Sequence, residues 1–233
     1  MSASTIEAKA SAPVSPRRLY RAAGWGGIGA FVAWAGQPVV VAVSAASDAP
    51  DNPDYAAWVG DRAFLGGIEA AIFTGVGVGL LFLVLGTWAL IRRAGGGESV
   101  ASRVGLAMGV VGAAAWLLTA GAAYAPFTSV GTGIPEVAPD PALQVALIQA
   151  LNLVLTNSLI TYAVGMGGWL VLMATAGRRA GVIGLPMTMV ALLCLAAVIF
   201  TFAVPFQPPW GMIGALLFAL ILGIALLVKS RKA

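Results

Sequence analysis

Hydrophobic residues form runs of 18 or more that recur along almost the whole chain. A run of this length is typical of a helix that crosses a lipid bilayer, which needs about 20 residues. Six transmembrane spans fit the pattern, at about 22–46, 64–91, 104–125, 143–176, 182–204 and 209–228. The second and fourth exceed the length needed to cross, so we expect them to tilt or to continue as helix beyond the hydrocarbon layer.

The composition agrees with this pattern. Of the 233 residues, 60% are hydrophobic and only 9% are charged, whereas about a quarter of a soluble domain is charged. The sequence therefore predicts an all-α membrane fold, a bundle of six transmembrane helices. Residues 1–16 are small, polar and proline-containing and predict a flexible cytoplasmic tail, which leaves 17–233 as the transmembrane domain. A cleavable signal peptide is the alternative at this end, but the apolar stretch is too long for one.

The basic residues predict the orientation. All Lys and Arg residues except Arg62 fall on one side of the predicted membrane, and the other side holds Asp48, Asp51, Asp54, Asp61, Glu136 and Asp140. The positive-inside rule then places both termini in the cytoplasm. Topology and anionic lipid explain the net charge of +4, so we expect the bilayer, and no nucleic acid, as partner. Abundant Ala and Gly, with Arg preferred to Lys, favour the cytoplasmic membrane of a bacterium.

Small residues recur at every fourth position in three predicted spans. The rows are Gly67, Ala71, Gly75 and Gly79 in span two, Gly105, Gly109 and Ala113 in span three, and Gly211, Ala215, Ala219 and Gly223 in span six. Such rows let helix backbones approach closely in lipid, where hydrophobic burial does not drive association. The partner helix is in this chain, in a second copy that forms a homo-oligomer, or in another membrane subunit, and the pattern leaves these alternatives open.

Glu69 is the one carboxylate in the otherwise apolar stretch Phe64–Gly75. It lies inside the outer end of span two, roughly 8–10 Å deep at 1.5 Å per residue. A charged side chain costs roughly 2–3 kcal/mol at mid-membrane and less near the interface. We therefore expect Glu69 to face the bundle and either to protonate or to find hydrogen-bond donors.

Polar side chains at the depth of Glu69 form a candidate ligand-binding site. Three of them follow one another on one face of span four, at spacings of three and four residues. The members are Gln37 in span one, Arg62 and Glu69 around the start of span two, and Gln149, Asn152 and Thr156 in span four. Two interpretations of this cluster stay open. These groups bond one another and fix helix pairing, at about 1 kcal/mol each or less, or they line an outward-facing pocket for a small polar or amphipathic ligand or form one station of a proton-coupled path.

The sequence lacks the side chains that intramembrane enzymes and redox carriers use. There is no histidine, and Cys194 is the only cysteine. This excludes a disulfide within the chain, a cysteine-based zinc site and haem held by histidine. No paired carboxylates and no Ser/His pair lie in the predicted spans. We therefore expect a non-enzymatic protein with no catalytic residue, metal or cofactor.

Two functional classes remain. The first is a binding or accessory membrane subunit that acts through helix packing or through the polar pocket. The alternative is a small-solute or proton-linked transporter that uses Glu69, although transporters normally show paired half-helices, charged midplane sites or a strong repeat. A faint repeat relates Arg92–Phe127 to Arg178–Phe206, since both segments begin RRAG and end PF. It leaves open whether spans two to five are a duplicated hairpin or whether the matches arose by chance.

Four short segments carry a family resemblance. They are the Arg-rich entry RRLYRAAGWGG, the acid of span two in DRAFLGGIE, an Arg-Gly turn that leads to GLPM, and the closing LLVK. With these segments the chain resembles a widespread group of uncharacterised bacterial membrane proteins with six helices. The resemblance extends over most of the chain and implies a six-helix fold, but it implies no activity.

Overall fold

The computed structural model describes residues 15–40, 63–95, 99–132, 140–203 and 210–232. These residues form six α-helices and one π-helical segment, and no strand occurs among them. The helices are α1 (Pro16–Trp34), α2 (Ala63–Arg93), α3 (Val100–Thr132), α4 (Pro141–Leu172), α5 (Leu185–Ala203) and α6 (Trp210–Ser230). The predicted all-helical character is confirmed.

Four helices contain a stretch that is long and apolar enough to cross a membrane. These stretches are Phe64–Arg93, Val100–Ala123, Asn157–Gly177 and Gly211–Ser230. In α5 the stretch with described side chains, Leu185–Phe200, is shorter. By length and composition, four helices rather than the predicted six therefore qualify as spans within the described residues.

Side-chain caps start two of the helices. Ser15 precedes α1, and its Oγ accepts a hydrogen bond from the backbone N–H of Arg18 at 3.4 Å. Asp140 precedes α4, and its Oδ1 accepts from the N–H of Ala142 at 3.0 Å. In both helices proline follows the cap, in the first turn of the helix. A backbone N–H in the first turn has no acceptor within the helix, so proline loses no helical hydrogen bond there. Arg17, Arg18 and Arg21 therefore lie inside α1, which begins before residue 22, the predicted start of span one.

The first helix ends earlier than the predicted limit of 46. Pro38 has no N–H to donate to the carbonyl of Trp34, so the hydrogen-bond ladder stops. Residues 35 and 36 form a turn, and Gly36 O then accepts from the N–H groups of Val39 and Val40 at 3.2 and 3.4 Å. The helical stretch 37–40 that begins there reaches the edge of the described residues, so the remainder of predicted span one lies outside them.

A π-helical segment, Met173–Gly177, follows α4 directly. Gly181 then adopts a positive φ of 68°, and the N–H groups of Val182 and Ile183 both turn back to Gly177 O. Glycine suits this left-handed position because it has no Cβ. The single span predicted at 143–176 is thus an α-helix that ends in a wider π-turn.

Helices adjacent in the chain are adjacent in space. The closest associations pair α1 with α2, α2 with α3, α3 with α4 and α5 with α6, and α1 closes the arrangement by packing on α6. Aromatic rings fill the core. Trp116 of α3 lies between Phe73 of α2 and Tyr162 of α4, with both ring centroids 5.2 Å away. Trp169 of α4 contacts Phe218 of α6 at 5.5 Å.

The glycine rows lie at contacts within this chain. A Cβ added to Gly79 would come within 2.7 Å of backbone atoms of Gly26 and Ala30 in α1. One added to Gly223 would lie 2.7 Å from the carbonyl oxygen of Gly24. In α3, Gly105 faces α4, and Gly109 lies between Val84 of α2 and Trp169 of α4. The predicted tight packing is therefore confirmed inside one chain, and an oligomer through small-residue faces stays a prediction.

One end of the bundle, called the basic end, contains residues 15–21, 92–95, 99–103, 178–184 and 229–232. These segments lie together, since Lys229 Nζ donates to the carbonyl oxygens of Gly181 and Val182 at 2.8 and 2.9 Å. One cavity is lined by residues of 92–95, 99–103 and 178–184, and a second is lined by residues of 15–21 and 229–232. All the Lys and Arg residues that the structure describes belong to this end. The two described carboxylates, Glu69 and Asp140, lie towards the opposite end.

Candidate functional site

The side chains of Gln37 and Glu69 meet between α1 and α2. Gln37 Nε2 donates a hydrogen bond to Glu69 Oε1 at 2.6 Å. The amide nitrogen is the donor and the carboxyl oxygen of Glu69 is the acceptor, so the bond joins two side chains on different helical segments. The contact links two helices close to the end opposite the basic end.

The turn at residues 35 and 36 positions Gln37 for this contact. A Cβ added to Gly36 would lie 3.1 Å from Ile72 Cδ1, so the chain turns directly against α2, one helical turn from Glu69. On the next turn of the interface, a Cβ at Gly75 would lie 3.1 Å from Ala33 Cβ. Small residues on both helices therefore bring the amide and the carboxylate within hydrogen-bonding distance.

The second polar atom of Gln37 is unsatisfied. Gln37 Oε1 is buried and has no hydrogen-bond partner among the described residues. A buried acceptor without a donor costs about 1–3 kcal/mol. The pair therefore presents an unused amide acceptor beside a carboxylate, and both atoms would accept hydrogen bonds from a donor placed there.

The other four predicted site residues are not seen in this contact. Gln149 lies on α4 and its side chain is exposed. Arg62 lies outside the described residues. Asn152 and Thr156 belong to α4, but their side chains are also outside the described part of the structure. The structure thus joins Gln37 to Glu69, and the larger cluster stays a prediction.

Polar side chains deeper on α4 bond to their own helix. Asn157 Nδ2 donates to Leu153 O at 2.9 Å, Ser158 Oγ to Val154 O at 2.9 Å, and Thr161 Oγ1 to Asn157 O at 3.2 Å. Ser, Thr and Asn commonly satisfy themselves in this way within helices. These hydrogen bonds account for the side chains without a ligand.

A metal site needs several ligating side chains close together. Within the described residues, no group of three His, Cys, Asp or Glu side chains is placed to hold a metal ion. Cys194 is a free, buried thiol in α5. At the end opposite the basic end, the polar atoms that the structure describes include the acceptor Oε1 of Gln37 and the carboxyl group of Glu69.

Three polar features of the bundle were not predicted from the sequence. The indole N–H of Trp169 donates to Thr87 Oγ1 at 3.4 Å in the buried core. Lys229 ties the end of α6 to the turn at Gly181. A cavity of ≈ 340 Å³ at the basic end is lined by Ala94, Gly95, Ser99, Ser102, Ala176, Arg179 and Ala180. Each depends on how the helices are rotated and paired, which residue spacing does not specify.

No family model, curated protein or solved structure matches this chain. The resemblance to bacterial six-helix membrane proteins therefore stays a prediction, and the functional conclusion depends on the site itself.

Proposed function

We propose that this chain is a non-enzymatic binding protein or accessory subunit of the bacterial cytoplasmic membrane. It crosses the membrane six times, with both termini inside, and it binds a small ligand at its outward-facing end through Gln37 and Glu69. The orientation is supported by the basic end, since Lys and Arg collect on the cytoplasmic side of membrane proteins. α1 and α5, which complete the six spans, pack against α6, a helix long and apolar enough to cross.

The observation that carries the ligand proposal is the unsatisfied acceptor beside the carboxylate. Gln37 Oε1 is buried and has no donor within the described part of the chain, while the amide nitrogen of the same side chain already bonds to Glu69 Oε1. A ligand that donates hydrogen bonds and carries positive charge would satisfy the amide oxygen and pair with the carboxylate at once. The ligand class is therefore a small ammonium or primary amine cation.

The purified full-length chain in detergent tests this proposal. Its thermal unfolding midpoint is measured with increasing ammonium, ethylammonium or tetramethylammonium chloride, with sodium chloride at equal ionic strength as reference. Ammonium and ethylammonium should raise the midpoint in a saturable way, by about 3–5 °C at ten times Kd. Tetramethylammonium carries the same charge but donates no hydrogen bond, so it should have no such effect.

Two variants locate the binding site. Glu69→Gln removes the charge and Gln37→Leu removes both amide atoms, and each should abolish the ammonium effect. Asp140→Asn is the matched control, because it removes the other described carboxylate near this end and Asn remains a good N-cap. The control should respond as the natural chain does. If ammonium and ethylammonium fail to stabilise the natural chain, the binding proposal is wrong and the Gln37–Glu69 pair serves only to join α1 to α2.

The second candidate is a proton-linked carrier. It is favoured by the ionisable side chain of Glu69, which is half-buried inside a helix long enough to cross the membrane. On this proposal, liposomes containing the protein should accumulate ethylammonium when a pH gradient is applied, and Glu69→Gln should abolish the accumulation. Saturable binding without any accumulation in the liposomes would exclude the carrier and retain the binding protein.

A further inference from the structure

A second cavity lies at the basic end, far from Gln37 and Glu69. Its volume is ≈ 270 Å³, and it lies between the first turns of α1 and the last turn of α6. The lining residues are Arg17, Arg21, Trp25, Leu227, Ser230 and Arg231. Three arginine residues therefore line one small cavity, at a position that the proposed function does not use.

The arginines of α1 reach the cavity because of helical spacing. Arg17, Arg21 and Trp25 follow one another at intervals of four residues, so they form a single stripe along one face of α1. α6 runs antiparallel to this stripe, since Gly24 contacts Leu227 while Gly27, one turn further along α1, contacts Ala219. The end of α6 thus brings its own arginine to the start of the stripe.

No described carboxylate neutralises these charges. Glu69 and Asp140 are the only acidic residues in the part of the chain that the structure describes, and both lie towards the opposite end. Ser230 adds no negative charge, because its hydroxyl is neutral, and its Oγ donates to Leu227 O at 2.7 Å. Like charges held together in one cavity repel one another, and an anion bound between them would remove that repulsion. Guanidinium groups bind phosphate oxygens through paired, charge-assisted hydrogen bonds.

The cavity continues into an apolar surface. The indole ring of Trp25 is 60% exposed, and Val32, two turns further along the same face of α1, is 63% exposed. Between them a Cβ added to Gly29 would meet no atom within 4 Å, which leaves a shallow depression along the helix. On α6, Ile224 is exposed beside Leu227. Tryptophan is typical of the level of lipid headgroups, so the apolar surface lies at the depth of acyl chains.

From this combination we propose that the cavity binds the phosphodiester headgroup of an anionic phospholipid. The three arginines contact the phosphate, Trp25 lies at the headgroup boundary, and one acyl chain follows the depression at Gly29. A free phosphate ion would use the arginines alone, whereas a lipid uses both the charged cavity and the apolar surface below it. The occupant that fits all of these observations is therefore a lipid such as phosphatidylglycerol.

Native mass spectrometry of the full-length protein tests the proposal. The natural chain is titrated with phosphatidylglycerol, with phosphatidylcholine, and with inorganic phosphate at the same concentrations. The first phosphatidylglycerol should bind more tightly than the first phosphatidylcholine. The double variant Arg17→Gln, Arg21→Gln should weaken phosphatidylglycerol binding by about 25-fold, since each basic residue at a membrane surface contributes about a factor of five.

A matched double variant distinguishes lipid binding in this cavity from attraction to the general positive charge of the surface. Arg18→Gln with Arg178→Gln removes two charges at the same end, but neither residue lines the cavity. It should change the affinity for phosphatidylglycerol by less than about twofold, because both side chains are exposed, lie outside the proposed headgroup contact, and are screened by solvent and salt. If the double variant Arg17→Gln, Arg21→Gln is unfolded, as judged by its thermal unfolding midpoint, Arg21→Gln alone should show a loss of about fivefold.

Four results would overturn the proposal. Equal losses in the two double variants would assign the effect to diffuse charge. Equal affinity for phosphatidylglycerol and phosphatidylcholine would remove the anion preference. Inorganic phosphate that binds as tightly as the lipid would make this a site for soluble anions, and lipid bound only by a dimer would make it an interface between two copies. None of these results depends on the ammonium response of Glu69, so the two proposals fail separately.

Discussion

Gly165 of α4 and Gly112 of α3 face each other so closely that a Cβ at Gly165 would lie 2.5 Å from the backbone nitrogen of Gly112. The same Cβ would lie 2.6 Å from the carbonyl oxygen of Met108. Both obstacles are backbone atoms, which cannot move aside as the end of a flexible side chain can. α3 and α4 therefore owe their association to the absence of side chains at this point.

Gly165→Ala should separate α3 from α4 and destabilise the protein. The added methyl group collides with backbone, so we expect a loss of roughly 1–3 kcal/mol, measured as a fall in the unfolding midpoint in detergent. Gly121→Ala is the control, because a Cβ there meets nothing within 4 Å and alanine favours helix by about 1 kcal/mol over glycine. Unchanged stability of Gly165→Ala would show that α3 and α4 do not approach as closely as described.

The hydrogen bond between Trp169 and Thr87 predicts a second effect. Both side chains are fully buried, and Thr87→Val keeps the shape of the side chain but leaves the indole N–H without its acceptor. We expect a loss of about 1 kcal/mol, the usual range for hydrogen bonds between membrane helices. The measurement is again the unfolding midpoint in detergent.

Thr119→Val is the matched control for this bond. Thr119 is buried to the same degree, but its hydroxyl donates to Ala115 O within its own helix at 2.8 Å. Its replacement should change the stability by less than about 0.5 kcal/mol. Equal effects of the two substitutions would mean that the contact between Thr87 and Trp169 contributes nothing beyond the local helix bond.

Lys229 predicts a third effect, on the connection between α4 and α5. Its amino group donates to the carbonyls of Gly181 and Val182, where carbonyl groups at a helix end attract positive charge. Lys229→Met should cost about 1 kcal/mol, since this charged hydrogen bond is partly exposed to solvent. Faster hydrogen exchange at the amides of Val182 and Ile183 should report the loosened turn.

Lys232→Met serves as the control for Lys229. Lys232 is exposed, and the contact that its backbone makes, a hydrogen bond to Lys229 O at 3.0 Å, does not involve the substituted side chain. Exchange at Val182 and Ile183 should therefore stay as in the natural chain. If both substitutions accelerate exchange equally, the effect comes from net charge at the basic end.

Most helix positions could be predicted because the length of an apolar run determines where a helix fits in a bilayer. Span two was predicted at 64–91 and α2 is Ala63–Arg93, and span six was predicted at 209–228 and α6 is Trp210–Ser230. Span one was predicted at 22–46, whereas α1 begins at Pro16 and is interrupted by a turn at residues 35 and 36. Residues 41–46 lie outside the described residues, so the predicted end at 46 stays a prediction. The prediction used hydrophobicity and did not use Pro16, which starts the helix, or Pro38, which breaks its hydrogen-bond ladder.

The sequence indicated which residues of the candidate site lie at similar depth along their helices. It did not indicate how each helix is rotated about its axis. Counting residues from the ends of the spans placed Gln37 and Glu69 at similar depth, and their side chains form a hydrogen bond. The same count placed Gln149 nearby, yet it is exposed. α4 packs mainly on α3, and neither the neighbour of a helix nor its rotation about its axis can be read from depth. The Arg17–Arg231 cavity was missed for the same reason, since it needs the pairing of α1 with α6.

Cysteine labelling tests the proposed sidedness of the membrane. In a Cys194→Ala background, Ala142→Cys lies at the end opposite the basic end and Ala94→Cys lies at the basic end, and both positions are exposed. Because the basic end should face the cytoplasm, a membrane-impermeant maleimide should label Ala142→Cys in intact cells and Ala94→Cys only after permeabilisation. Leu118→Cys, 66% exposed in the middle of α3, should face lipid and stay unlabelled in both conditions. Labelling of Ala94→Cys in intact cells would reverse the orientation, and would place Gln37 and Glu69 on the cytoplasmic side.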